Sequence, residues 1–132
     1  MKKIDKELFT SYIKANVSPM LIDFMKGSDI PDAVIIPANI KIEDLNGHYE
    51  ETEYVAPKWY NELIKNKPMV LVIDSIDIIK KEEQVKFVEI LKYKKVSTFE
   101  LPENVVIFVT ANQIDNNTIN EEIYSLVAHI EG

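Results

Sequence analysis

The segment PMVLVIDSID, residues 68–77, determines how the rest of this sequence is interpreted. Five consecutive apolar residues lead into Asp74, and Ser75 follows directly. A continuous apolar run of this length is typical of a strand that is buried on both faces, as in a parallel sheet. Ligands of such sheets bind beyond the carboxyl ends of the strands, so the segment predicts a carboxylate at the edge where ligands bind.

A second run of the same kind, VVIFVT at residues 105–110, leads into Ala111 and Asn112. Strand-like and helix-like segments alternate along the chain, and such alternation predicts an α/β fold. We expect a three-layer α/β/α sandwich with a mostly parallel sheet of about five strands, in a single domain of residues 1–132. The other predicted strands are residues 33–38, which Pro37 ends, and 126–131; the predicted helices are residues 57–66, 81–93 and, as a single turn, 121–126.

The segment that follows Ser18 has the pattern of a helix start. Pro19 stands where a first helical residue would be, and proline is favoured at that position. Three apolar residues then follow at helical spacing, namely Leu21, Phe24 and Met25. We therefore predict a helix that begins at Pro19 and ends near Gly27, whereas residues 5–15 fit either a helix or a first strand.

Three further segments are assigned from polarity and periodicity. The polar residues 39–57 predict a long surface loop. The 81–93 helix is amphipathic, and the residues expected to face inward are Val85, Val88, Leu91 and Phe87. Residues 96–99 predict a short extended piece, one half of a hairpin.

The composition of the chain excludes several classes of function. Its formal net charge of −7 repels phosphate backbones and argues against nucleic-acid binding. It has no cysteine, which excludes disulfides and thiolate metal sites. No apolar run approaches the length of a membrane span, so we expect a soluble, cytoplasmic protein without a membrane partner. All 15 basic residues are lysines, so this chain provides no arginine to clamp a phosphate.

Several short motifs occur in a fixed order within residues 33–132. They are Asp44, Leu45 and Gly47; Pro57 and Trp59 in a helix; Asp74 at a strand end; Gln84 early in a helix; a hairpin segment at Val96–Glu100; Leu101 and Pro102; and Ala111 and Asn112. In this order and spacing the motifs resemble the AAA+ ATPase core of the MoxR type, which implies a P-loop-NTPase-like sheet.

The resemblance implies roles for three residues at the strand ends. Asp74 matches the Walker B aspartate, which holds the magnesium ion in that family. Asn112 matches the sensor-1 asparagine, which orients the attacking water or the terminal phosphate. Ser75 replaces the glutamate that would polarise the water, and a serine hydroxyl is a poor general base. We therefore expect no catalytic residue in the isolated chain.

The resemblance is lost in the segment that should bind the phosphates, which we place at Ile13–Leu21. A phosphate loop needs glycines to present its backbone N–H groups, and this segment contains none. Its Ser18 is followed by a proline, and its Lys14 lies before the loop and not at its end. The arginine finger and the sensor-2 arginine are missing, and we expect no lid domain because the sequence ends at Gly132.

We therefore expect a non-catalytic AAA+-like module that acts through protein–protein contacts as a regulatory or assembly subunit, with other AAA+-like subunits among its candidate partners. Two alternatives remain open: an ATP-binding AAA+ ATPase with weak or partner-dependent hydrolysis, and a structural α/β domain of unrelated origin. No cofactor is expected, and ATP with magnesium belongs to the first alternative. The vestigial nucleotide-binding candidates are Asp74, Ser75, Asn112 and Ser18. No metal is expected; Asp74 is the weak metal-ligand candidate, and a two-carboxylate site formed by Asp74 and Asp77 is the lesser alternative.

The same regions have simpler interpretations. Asp74 would cap the next turn, Asp77 would be solvated or would cap the 81–93 helix, and Thr110 would be a strand residue with no further role. The acidic residues 48–54 would form a solvated loop or a docking segment for a partner. The lysines of residues 92–95 would form a solvated helix end or a small basic patch for an acidic partner.

Overall fold

The computed structural model describes residues 19–30, 32–65 and 69–130, so the predictions for Ser18 and for residues 5–15 lie outside it. The strands of the described residues are β1 (Met20–Ile22), β2 (Val34–Pro37), β3 (His48–Glu50), β4 (Glu53–Val55), β5 (Val70–Asp74), β6 (Lys95–Val96), β7 (Phe99–Glu100), β8 (Val106–Thr110) and β9 (Ala128–Ile130). The α-helices are α1 (Ile42–Asn46), α2 (Lys58–Lys65), α3 (Val88–Tyr93) and α4 (Glu121–Leu126), and 3₁₀ helices span Gly27–Asp29, Ile76–Ile78 and Lys81–Phe87. Among these helices, none has the length and apolar character needed to cross a membrane.

Five of the strands form one sheet in the order β2-β5-β8-β1-β9, and all of its pairings are parallel. The predicted α/β fold with a parallel sheet of about five strands is therefore confirmed. The remaining strands form two antiparallel hairpins, β3–β4 and β6–β7. The second of these confirms a hairpin in this region, but residues 96–99 contain its turn and do not form one extended half.

The α-helices pack on one face of the sheet. Each contributes a fully buried residue to the same apolar cluster as alternate residues of the central strands: Leu45, Leu63, Ile90 and Ile123 from the helices, and Leu21, Leu71, Ile73, Ile107 and Val109 from the strands. On the opposite face, the described residues that pack on the strands include Phe24, Met25 and Ile30. Within residues 19–30, the only helical part of this second layer is one turn of 3₁₀ helix.

The predicted helix from Pro19 to Gly27 is wrong. Met20, Leu21 and Ile22 form β1, which lies in the sheet between β8 and β9. All three are buried on both faces of the sheet, with at most 2% of their surface exposed. The local signal of a helix start is overridden because β8 and β9, the strands on either side, form hydrogen bonds with the backbone of this segment.

The polar segment 39–57 is not a loop, as the sequence had predicted. It contains α1 and the hairpin β3–β4. Leu45 of α1 is fully buried, and its carbonyl accepts a hydrogen bond of 3.0 Å from the indole N–H of Trp59. This bond fixes α1 against α2 and explains why a short polar helix is retained here.

The predicted 81–93 helix begins as a 3₁₀ helix and becomes α-helical only at Val88. The change in period rotates the side chains, so Val85 is 51% exposed and Gln84 is buried in its place. Phe87 and Leu91 face the core, as predicted. The prediction for Val85 is therefore wrong, because it assumed a period of 3.6 residues throughout.

Candidate functional site

The strand order places a crevice between β1 and β8. From β1 the chain continues to β2 at one edge of the sheet, and from β8 it continues to β9 at the other edge. Open α/β sheets bind ligands where neighbouring connections diverge in this way, beyond the carboxyl ends of the strands. Asp74 ends β5, and Asn112 follows β8; these two strands are neighbours, as the sequence had indicated.

The carboxylate of Asp74 is held by hydrogen bonds from two other segments. The N–H of Gly27 donates to Asp74 Oδ1 over 2.7 Å, and the hydroxyl of Thr110 donates to the same oxygen over 2.7 Å. Both distances are typical of hydrogen bonds to an ionised acceptor. Asp74 therefore links the end of β5 to the end of β8 and to the loop after β1. The expectation that it caps its own next turn is wrong, since both donors are distant in sequence.

Thr110 has a structural role that its position in a strand did not predict. It is 1% exposed, and its hydroxyl oxygen accepts the N–H of Ser75 over 2.9 Å while its proton goes to Asp74. Ser75 has a left-handed backbone, with φ 58° and ψ 54°, which ends β5 abruptly. The hydroxyl of Thr110 thus supports both an uncommon backbone conformation and the carboxylate beside it.

Asp77 anchors the loop that follows β8. Its carboxylate accepts the N–H of Asn112 over 3.1 Å and the N–H of Gln113 over 3.0 Å. The prediction that Asp77 caps the 81–93 helix is therefore wrong. Its carboxylate accepts backbone N–H groups of the loop that follows β8 instead. The side chain of Asn112 is exposed beside this anchor.

A shallow pocket of about 260 Å³ covers the carboxyl ends of β1 and β8. It is lined by Asp23, Phe24, Met25, Lys26, Asp29, Ala111 and Asn112. Pockets for small molecules usually measure about 300–1,000 Å³. This pocket therefore lies below the usual size for a nucleotide, and the loop after β1 fills the space in front of Asp74.

Gln84 joins three segments behind the loop that follows β8. Its Nε2 donates to the carbonyl of Thr118 over 2.7 Å and to the carbonyl of Ile76 over 3.2 Å. Its Oε1 accepts the N–H of Asn120 over 2.8 Å. The resemblance had singled out Gln84 by position alone; the structure gives it the role of satisfying backbone groups that would otherwise be buried without partners.

The same loop is also fixed by its own aspartate. Asp115 accepts the N–H of Asn117 over 2.7 Å and the N–H of Thr118 over 3.1 Å. The bond from Asn117 is the main reason that the pKa of Asp115 lies below its usual range. The loop after β8 is therefore held at both ends by carboxylates that accept backbone N–H groups.

Gly27 lies too close to Asp74 to carry a side chain. A Cβ built on Gly27 would be 2.9 Å from Asp74 Oδ1 and 3.2 Å from Val72 Cγ1. We expect Gly27→Ala to lower the free energy of unfolding by about 1–3 kcal/mol, because the surroundings must shift to admit the methyl group. Urea unfolding measures the change, with the exposed Ser28→Ala as the control. Helix propensity alone predicts that Gly27→Ala would raise the free energy of unfolding. An alanine variant as stable as the parent would therefore contradict the close contact with Asp74.

The structure brings three of the four predicted site residues to one edge of the sheet, namely Asp74, Ser75 and Asn112; Ser18 lies outside the described residues. The segment that follows β1 at this edge is residues 23–29, so the placement of a phosphate loop at Ile13–Leu21 is corrected. Within residues 19–30, 32–65 and 69–130, no group of three or more histidines and carboxylates is arranged to hold a metal ion.

The residues at this edge do not fit a nucleotide with magnesium. A phosphate loop presents backbone N–H groups that are free to bind oxygen anions. Here the N–H of Lys26 donates to Asp29 Oδ2, that of Gly27 donates to Asp74, and that of Asp29 donates to the carbonyl of Lys26. These three backbone donors are therefore bonded within the chain, and Asp74 would have to give up Gly27 to bind a ligand through Oδ1.

No protein-family profile and no curated protein matches this sequence. Among solved structures, the fold is similar to that of NtrX from Brucella abortus in complex with ATP, with a TM-score of 0.52 and 14% sequence identity. The match covers 99% of this chain and 36% of the NtrX chain, so this chain spans about a third of that length. At this identity the similarity concerns the fold alone. The chain therefore has an α/β fold with a five-stranded parallel sheet, similar to the fold of part of NtrX.

Proposed function

We propose that this chain is a non-catalytic AAA+-like module that acts through contacts with other proteins, as a regulatory or assembly subunit. The observation that carries the proposal is the bonding of Asp74, whose Oδ1 accepts the Gly27 N–H and the Thr110 hydroxyl. The residue that matches a magnesium ligand is thereby part of the internal framework. A ligand that took Oδ1 would have to replace these two bonds, at a cost of about 1.5–3 kcal/mol for each, since the acceptor is charged.

The backbone after β1 supports the same proposal. Phosphoryl transfer depends on positioning and on charge neutralisation, which a cradle of N–H groups, a lysine and arginines normally provide. Lys26, Gly27 and Asp29 direct their N–H groups to acceptors of the same segment or of Asp74. The 3₁₀ helix that follows is three residues long and has no extended row of N–H groups at its start.

Ser75 adds a third argument against hydrolysis. A water-polarising residue at this position needs a side chain that accepts a proton near neutral pH, which a serine hydroxyl does not do. Its N–H is bonded to Thr110, and its left-handed conformation is set by the end of β5. The change to glutamate alone would therefore not create an ATPase, because the N–H groups of Lys26, Gly27 and Asp29 would still be bonded elsewhere.

Thermal unfolding with and without Mg-ATP tests the proposal, and we expect no shift of Tm. A ligand present at a hundredfold excess over its Kd would stabilise the fold by about 2.7 kcal/mol, which a melt detects easily. We expect Asp74→Asn to lower the unfolding free energy by about 1–2 kcal/mol, equally with and without Mg-ATP, because it weakens the bonds from Gly27 and Thr110. The exposed Asp44→Asn serves as the matched control.

An increase of Tm with Mg-ATP that depends on Asp74 would support partner-dependent ATP binding. The ATP in the NtrX complex favours this alternative, in which Asp74 and Asn112 would act together with a second chain. Under this alternative, Mg-ATP raises the Tm of the parent, and Asp74→Asn abolishes the increase. That result would overturn the proposed function.

A further inference from the structure

A groove beside the edge strand β2 combines apolar residues with carboxylates. It has a volume of about 330 Å³ and is lined by Ile35 of β2, by residues of α1 and by the start of α2. Its other apolar lining residues are Ile40, Pro57 and Trp59, all of them wholly or partly buried. This volume is close to the lower end of the range for small-molecule pockets, so the groove has room for one or two side chains. We call it the Trp59 groove.

The apolar part of the groove is preformed. The indole N–H of Trp59 donates to the carbonyl of Leu45 over 3.0 Å, and Trp59 is 6% exposed. The ring of Tyr60 lies edge-on to the indole, with the two centroids 6.2 Å apart. Because these contacts already fix the indole, a ligand that covers it orders little of the protein, and more of the contact energy remains for binding.

The groove also carries an excess of negative charge. Three carboxylates line it, those of Glu43, Asp44 and Glu62, together with one amine, that of Lys58. In the described part of the chain, neither Glu43 nor Asp44 takes part in an ion pair. Glu62 and Lys58 are 4.0 Å apart and both largely exposed, so their pair contributes little. The described residues therefore leave most of the negative charge of the groove without a partner.

We propose that the Trp59 groove binds a segment of another protein in which a lysine or arginine stands beside an apolar residue. The apolar side chain covers Trp59 and Pro57, and the cationic group faces Glu43 and Asp44. Long basic side chains often lay their methylene stems on an apolar surface and keep their charge in water. An acidic segment would be repelled by the carboxylates, and a purely polar segment would leave the apolar lining uncovered.

The size of the groove predicts a weak contact. The inference rests on the proposed function, because it gives the chemistry of one partner through which such a module would act. One or two side chains make a contact far smaller than a stable interface, which buries about 800 Å² on each partner. We therefore expect a short peptide to bind with a Kd on the order of 1 mM, and to bind more weakly as salt screens the carboxylates.

A peptide titration tests the inference, because Trp59 is the only tryptophan in the sequence and its fluorescence reports on this groove. The probe is a capped tetrapeptide of alternating lysine and leucine. We expect a saturable change of the tryptophan emission, and the same Kd from calorimetry. A peptide with glutamate in place of lysine and a peptide with serine in place of leucine should each bind at least about tenfold more weakly.

Two charge-reversed variants locate the binding site. Glu43→Lys with Asp44→Lys should weaken binding of the lysine–leucine peptide about tenfold and strengthen binding of the glutamate–leucine peptide, because the groove is then positive. Glu121→Lys with Glu122→Lys is the matched control. Both pairs of carboxylates lie in the first turn of a short α-helix, so the two variants change the net charge and the helix ends alike. The control should bind the lysine–leucine peptide within about twofold of the parent.

Four results would overturn the inference. The first is a parent that gives neither an emission change nor heat with the lysine–leucine peptide at about 10 mM. The second is equal binding of the serine-containing peptide, and the third is an equal loss in both double variants, since each would show attraction to net charge alone. The fourth is a parent whose mass in sedimentation exceeds one chain unless Glu43 and Asp44 are reversed, which would identify a second copy as the occupant.

The peptide titration is independent of the test for nucleotide binding. A Tm increase with Mg-ATP would overturn the proposed function and leave the titration of the Trp59 groove unaffected. A parent that binds no peptide and shows no response to Mg-ATP would overturn the inference about the groove and leave the proposed function standing.

Discussion

Replacing Gln84 with methionine is expected to lower the free energy of unfolding by about 3 kcal/mol, which corresponds to about 10 °C in Tm. Methionine has a similar length and fills the same space, so the loss reports hydrogen bonds and not volume. The substitution leaves the N–H of Asn120 and the carbonyl of Thr118 without their partner in a site where Gln84 is fully buried. Buried groups that lose a partner cost about 1–3 kcal/mol each.

The neighbouring Val85→Met is the matched control, because Val85 is half exposed and its change should stay within about 0.5 kcal/mol. Gln84→Glu is the second test. It retains an acceptor for Asn120 but directs a carboxylate at the carbonyls of Thr118 and Ile76, so we expect a loss at least as large as that of methionine. Chemical unfolding measures all three variants. If Gln84→Met were as stable as Val85→Met, the network around the loop after β8 would be refuted.

Replacing Thr110 with valine is expected to lower the free energy of unfolding by about 2 kcal/mol. Valine has the same shape and is better suited to a buried strand, so hydrophobicity alone predicts no loss or a small gain. The hydroxyl, however, accepts the N–H of Ser75 and donates to Asp74. Without it, one backbone donor loses its acceptor and the carboxylate loses one of its two donors to Oδ1.

Thr110→Ser gives the matched comparison, because serine keeps the hydroxyl and loses a methyl group, at a cost of about 1 kcal/mol. The expected order of stability is therefore threonine, then serine, then valine. A valine variant that is more stable than the serine variant would contradict the role given to the hydroxyl. A double-mutant cycle with Asp74→Asn should show coupling between the two sites, since residues in one hydrogen-bond network do not contribute additively.

The central strands of the fold were predictable from the sequence because each is a long apolar run. The segments that form β5 and β8 are buried on both faces, and their short apolar runs are rich in β-branched residues, which favours a strand over a buried helix. The strand β1 was missed because it is three residues long and follows a serine and a proline. Its identity as a strand depends on β8 and β9, which lie far from it in sequence.

The candidate site was predictable only in part. The sequence placed Asp74 and Asn112 at the ends of neighbouring strands, since strand ends follow directly from the apolar runs. It did not reveal that Gly27 donates to Asp74, because the two residues are separated by most of the first half of the chain. Such contacts depend on tertiary packing, for which a single sequence carries no local signal.

The order of the strands has a consequence for how this chain folds. Each pairing in the sheet is parallel, so each needs a crossover before its two strands can meet. Among the described strands β1 comes first along the chain, but both of its neighbours, β8 and β9, belong to the last quarter of the chain. Folding rates fall as contacts become more distant in sequence, so we expect slow folding, with β1 pairing only after the ribosome has released nearly the whole domain.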